Sequence, residues 1–207
     1  MKEHSFQDEN VYPAVPYVAT DNFKLVEGAY KHLKNKALEH FAFYGIPHDS
    51  SHCWARERKN SFFQLTEADG YTCHYFEGIP TTPDTWQYAM NRLADWLQRL
   101  PKPIGILACT DSRARHILQA CDQANIAVPD MVSVIGIDDD EIARHLSRIS
   151  LSSVSQGCIE MGYRAAKLLH NRLTTGSDKL PRILVPPEGV IERQSTDYQS
   201  LRDPYVI

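Results

Sequence analysis

The chain has 207 residues, with 22 Lys and Arg against 26 Asp and Glu, a formal charge of −4. That length makes one or two compact domains with a substantial core, and 43% hydrophobic with 23% charged residues excludes wholesale disorder. The acidic balance argues against a module that grips nucleic acid by itself, because phosphate contacts need clustered Lys and Arg.

The five cysteines at positions 53, 73, 109, 121 and 158 are odd in number, widely spaced and form no C-x-x-C pair. That is the pattern of reduced thiols in a cytoplasmic protein. No apolar stretch follows Met1-Lys2-Glu3-His4, and no run approaches the ~18 apolar residues of a membrane span. The expectation is a soluble chain with no membrane partner.

Residues 1–15 lack periodicity and read as an irregular arm. Asp21 to Lys36 reads as a helix, with Val26, Ala29, Tyr30 and Leu33 on one face. A strand is expected from Phe41 to Ile46, ending at Pro47, and a helix from Trp54 to Ala68, stopped near Gly70. Next come a strand over Tyr71–Phe76 and a helix over Asp84–Leu100 striped by Trp86, Met90, Leu93 and Leu97. Strand Ile104–Cys109 leads into helix Asp111–Asn125, and strand Val132–Ile137 runs onto the acidic loop Asp138–Glu141. A helix over Gln156–Leu173, with Ile159, Gly162, Tyr163, Ala166 and Leu169 facing inward, precedes strand-like runs at 182–185 and 189–192. Repeated βα units with continuous Ile/Val/Leu strands predict an α/β fold, a parallel sheet with helices on both faces.

In open α/β sheets, ligands bind at the carboxyl ends of the strands. That rule selects Thr110 and Asp111 after one strand and Asp138 after the next. It adds Arg58 on the helix that follows Phe41–Ile46, and Trp86 beyond Tyr71–Phe76. Carboxylates that accept from hydroxyls, a guanidinium that donates in a planar fork and an indole that stacks suit a polyhydroxylated ligand. Arg58 stands on the apolar stripe, four residues from both Trp54 and Phe62, so it either has a buried partner or snorkels to water. Asp21 and Asp111 sit where helix N-caps belong, Asp139 and Asp140 read as a solvated turn, and Trp86 fits the core equally well. His48, His52 and Cys53 have metal-like side chains, but a Pro-containing loop does not fix their geometry.

No dinucleotide, P-loop, nucleophile-elbow or zincin motif is present in the sequence. Two classes remain: a small-molecule binding domain without catalytic residues, metal or cofactor, and an enzyme using Asp138–Glu141. The enzyme would hold Mg²⁺ on Asp138 and Asp139 with Asp111 opposite.

Four motifs follow in order: Ala19–Asn22, Leu107–Asp111, Val128–Asp139 and Ile191–Thr196. Together they resemble the effector-binding domain of the lactose/galactose-repressor family, which is similar to periplasmic sugar-binding proteins, over about Pro16 to Thr196. Further stretches, such as 41–45, 91–97, 114–118, 165–169 and 182–187, are similar to those of a family of AraC-type transcriptional activators. These join a repressor-like D-xylose sensor to a carboxy-terminal AraC-type helix-turn-helix domain.

The resemblance implies a type I periplasmic-binding-protein-like lobe and a sugar effector, D-xylose. It also implies a homodimer, and promoter DNA contacted through a domain outside this chain. By the same resemblance, effector contacts fall on Asp21, Arg58, Trp86, Thr110 next to Asp111, and Asp138. Thr110 stands where the family more often has Asn, and Ser61 replaces a Gly of the pattern that begins at Arg58. The implied organisation is a junction arm over 1–20 and amino-terminal-lobe helices over 21–37 and 156–175. The carboxy-terminal lobe would span 38–150 with 182–196, followed by a linker over 197–207. On that division, both amino-terminal-lobe helices would expose apolar stripes.

Overall fold

The structure, a computed structural model, describes residues 15–47, 52–142, 146–176 and 181–198. Its elements in chain order begin β1 (Tyr17–Thr20), α1 (Asn22–Lys34), β2 (His40–Tyr44), α2 (Cys53–Ala68) and β3 (Cys73–Phe76). They continue α3 (Trp86–Arg99), β4 (Ile104–Ala108), α4 (Asp111–Gln123), β5 (Val132–Asp138) and β6 (Ser152–Ser155). The last three are α5 (Cys158–Thr175), β7 (Arg182–Val185) and β8 (Gly189–Ile191).

The principal sheet has six strands in the order β3-β2-β4-β5-β6-β8, with every pair parallel except the antiparallel β6–β8 edge. Period-two alternation sends successive side chains to opposite faces. Ile104, Ile106 and Ala108 of β4 meet Met90, Leu93 and Leu97 of α3 and Ile117 of α4, whereas Leu107 and Cys109 meet Leu25 and Leu33 of α1 and Phe62 of α2. At Gly105, an added Cβ would lie 3.0 Å from a Leu38 methyl and 3.2 Å from one of Leu33, so the bare glycine lets α1 settle close to the sheet. The parallel α/β architecture expected from the strand pattern is the one observed.

Several boundaries and assignments differ. Residues 17–20, expected in the irregular arm, form β1, and the polar run Ser152–Ser155 forms β6. Ser152 and Ser153 are buried, and the Ser152 hydroxyl donates to the Arg193 carbonyl while the Ser153 hydroxyl donates to Asp111. Buried hydroxyls with internal partners are tolerated in a core, and no apolar pattern marks them.

Helix 22–34 does not belong with a separate lobe. Leu25, Val26, Ala29 and Leu33 are fully buried against the six-stranded sheet and α2, so its stripe is not exposed. Strand 182–185 is corrected too: it leaves the principal sheet and pairs parallel with β1, Tyr17 opposite Arg182 and Thr20 opposite Val185. α5 packs against β1 and has no buried residue. Its apolar side chains Ile159, Tyr163, Leu169 and Leu173 are 86%, 61%, 59% and 77% exposed, so the inward face expected there is not covered.

Candidate functional site

The carboxyl ends of β4 and β5 bring the most charge together. β5 ends on Asp138 at φ 132°, and Asp139 follows at φ 54°. Positive φ at two successive non-glycine residues is unfavourable, on the order of 1–3 kcal/mol each, and persists only where the surroundings impose it. Here the surroundings are visible. The Asp139 backbone N–H donates to Ser153 Oγ at 3.0 Å, Arg193 Nη2 donates to Asp139 Oδ1 at 2.7 Å, and Gln156 Nε2 donates to Asp138 Oδ1.

Arg58 reaches this turn from α2. It is 3% exposed, so it does not snorkel to water. Its Nε donates to Asn22 Oδ1 at 3.0 Å and its Nη1 to the Cys109 carbonyl at 2.7 Å, while Nη1 lies 3.8 Å from Asp138 Oδ1. The guanidinium lies 4.8 Å from the centroid of the Trp54 ring. Burial lowers its pKa, opposed by Cys109, Asp138, Asp111 and Glu57. Asp138 is shifted upward by burial and held back by Arg58 and Gln156. Nothing among the described residues accepts from Nη2 of Arg58. Arg58 therefore presents donors, and the partly exposed Asp138 an acceptor, at one strand edge. That pairing is what vicinal hydroxyls require.

The structure moves Asp111 from the rim into the support beneath it. Asp111 is 1% exposed and both carboxylate oxygens are occupied, Oδ1 by the Ser153 hydroxyl at 2.6 Å and Oδ2 by the Asp140 N–H at 2.8 Å. Burial raises its pKa to about 6, with those two hydrogen bonds opposing. A Cβ added at Gly136 would come within 2.1 Å of Asp111 Oδ1, so the glycine in β5 makes room for this carboxylate. Nor is Asp111 the cap of α4. That role falls to Thr110, whose Oγ1 accepts from the Arg113 N–H at 3.3 Å.

Asp21 caps α1 by accepting from the Lys24 N–H at 3.0 Å, and its own N–H donates to the Val185 carbonyl at 2.9 Å, joining α1 to β7. Trp86 opens α3 half-buried, edge-on to His116 at 5.1 Å, against the core cluster on the α3–α4 face rather than the α1–α2 face that carries Arg58.

Asn22, Gln156 and Trp54 were not anticipated in the site. Trp54 alone had a local signal, one helical turn from Arg58. The carboxylates of Asp138–Glu141 do not converge on a metal position. Asp138 faces Arg58 and Gln156, Asp139 faces Arg193, and Asp140 accepts from the Ile142 N–H. Among the described residues, no group of three or more His, Cys, Asp or Glu side chains is placed to hold a metal ion. Of the His48, His52 and Cys53 set, His48 lies outside the described residues. No helix among the described residues is long and apolar enough to cross a membrane.

A parallel sheet clothed on both faces, with a buried arginine and a carboxylate meeting at its carboxyl edge, is the frame of a small-molecule sensor lobe. Residues 30–196 match the periplasmic binding protein-like domain, and the chain belongs to that family. It is 56% identical to the xylose operon regulatory protein of Escherichia coli strain K12 over 196 residues, 95% of this chain and 50% of that protein. It is 47% identical to the Haemophilus influenzae protein of the same description, over 98% of this chain and 52% of that protein. A solved structure described as a xylose-binding transcription activator superposes with a TM-score of 0.88 at 54% identity, covering 99% of this chain and 54% of the other. The chain thus spans about half the length of the curated relatives it matches, and those relatives are transcriptional regulators, not enzymes.

Proposed function

We propose that this chain is part of the sugar-sensing domain of a transcriptional regulator of xylose utilisation, with D-xylose as effector. The observation that carries the reading is Arg58, buried yet with no acceptor for Nη2 among the described residues, held beside Asp138 at the strand edge. Arg58 donates to sugar hydroxyls and Asp138 accepts from one, with Gln156 steadying the carboxylate. Thr110 and Asp21 complete the rim as secondary contacts, Asp111 supports it from below, and Trp86 stays with the α3–α4 core.

The six-stranded body forms one wall of the cleft. β1, β7 and α5 form part of the opposite wall, whose remainder is supplied by the additional length seen in the relatives. The uncovered apolar face of α5 supports that division. Sugar bound between the walls favours the closed arrangement, and a homodimer transmits closure to promoter DNA through a separate helix-turn-helix domain. Such coupling requires that the two arrangements differ in sugar affinity.

The deciding experiment is calorimetric titration of D-xylose into the full natural chain, with L-arabinose, D-ribose and Mg²⁺ as controls. Saturable binding of xylose that the other sugars do not reproduce is the expected result. Folded protein that takes up no sugar overturns the proposal.

A further inference from the structure

Asn22 opens α1, is 3% exposed, and uses both ends of its carboxamide on neighbouring residues of α2. Nδ2 donates to Glu57 Oε2 at 2.8 Å, and Oδ1 accepts from Arg58 Nε at 3.0 Å. The slot lies between an anion and a cation, so its occupant must donate on one side and accept on the other. A carboxamide does both without adding charge. Glu57 is itself 8% exposed, and its carboxylate also attracts the guanidinium, alongside Asp138 and Asp111. An apolar side chain at position 22 would leave Nε of Arg58 and Oε2 of Glu57 buried without these bonds. The guanidinium would then turn toward Glu57, drawing Nη1 from the Cys109 carbonyl and away from Asp138.

We propose that Asn22 is the positioning residue of the sugar site: it keeps Arg58 from pairing with Glu57 and so holds the guanidinium toward Asp138 and the effector. This rests on the sugar-binding reading of Arg58 given above. Asn22 does not itself touch the sugar. Because the Asp21 N–H is bonded to β7, the same first turn ties the orientation of Arg58 to the β1–β7 pair.

The test is D-xylose titration of the full natural chain carrying Asn22→Leu, alone and with Arg58→Lys, and of the reversed pair Asn22→Asp with Glu57→Gln. Asn22→Leu should weaken xylose binding about tenfold or more, the scale of a buried hydrogen bond to a charged group. With Arg58→Lys, which has no Nε to hold, adding Asn22→Leu should cost less than about twofold by the logic of a double-mutant cycle. The reversed pair keeps both bonds of position 22, with donor and acceptor exchanged between 22 and 57, and should bind within about threefold of the unaltered protein.

Unchanged affinity in Asn22→Leu overturns the proposal, as does an equal loss in both backgrounds. If Asn22→Leu does not fold, the reversed pair decides. Its failure to fold, or a loss of tenfold or more at an unchanged melting temperature, also overturns it. An unaltered chain that binds no sugar refutes the sugar-binding reading itself, a distinct result from Asn22→Leu binding normally.

Discussion

Two carboxylates one strand apart, Asp111 and Asp138, illustrate how surroundings divide similar side chains between support and contact. Asp138 is partly open and faces a guanidinium, so its removal should be felt by the ligand. In the full natural chain, Arg58→Ala and Asp138→Ala should each weaken sugar binding by about tenfold or more, with affinity for DNA in the absence of sugar unchanged within about twofold. Titration calorimetry and a DNA-binding assay on the same preparations check this. Asp111 is closed off, and its effect should appear in stability. Its folded pKa, about 6, lies above the ordinary 3.8, so the native state binds the proton more tightly than the unfolded chain. The Asp111 carboxylate therefore costs on the order of 2–3 kcal/mol above pH 6, relieved as the pH falls from about 6 to about 4. Asp111→Asn should remove that term, so its stability relative to the unaltered chain should be greater at pH 8 than at pH 4. Urea unfolding at both pH values measures the difference, and an identical gap at both would refute it.

At the level of elements, α1 and α5 have similar amphipathic sequences and opposite fates. α1 buries Leu25, Val26, Ala29 and Leu33 completely, whereas α5 buries nothing. Leu33→Ala should therefore destabilise the fold by about 2–5 kcal/mol, the usual cost of truncating a fully buried leucine. Leu173→Ser should change unfolding of this chain by less than about 0.5 kcal/mol and make it more soluble, because the side chain already meets water. Denaturant melts and light scattering of the two variants check the contrast. An equal loss from both would mean that α5 is covered in solution.

For the whole molecule, the placement of charge follows from how the chain is layered. The rim that carries Arg58 and Asp138 lies where β4 and β5 end, while β7 is joined to the start of α1 by the Asp21–Val185 hydrogen bond. A ligand bound between these bodies adds its binding energy to folding by mass action. In the full natural chain, xylose at about one hundred times its Kd should stabilise by about 2.7 kcal/mol, seen as a higher melting temperature. L-Arabinose at the same concentration should have a smaller effect. Equal shifts for both sugars would remove the pentose selectivity.

The alternation of apolar strands and striped helices was enough to establish the α/β class and to locate β2, β4, β5 and the helices between them, because these signals are periodic and local. The strand-end rule likewise pointed to Arg58 and Asp138, which the structure brings within 3.8 Å. Other features had no local signal. β6 has one apolar residue, Val154, and its buried Ser152 and Ser153 are satisfied by residues some forty positions away, so no hydrophobic run announces it. The stripe of α1 fits any apolar sheet face, and only packing decided that it covers β4, β5 and β6. Strand 182–185 has one apolar pattern and two available sheets, and its pairing with β1 was settled in space. Asn22 reads in sequence as an ordinary residue at a helix start. Its place between Glu57 and Arg58 depends on α1 lying across α2, a contact between segments more than thirty residues apart. Sequence periodicity determines which face of an element is apolar. Which other element covers that face is a long-range free energy, decided only when the whole chain is assembled.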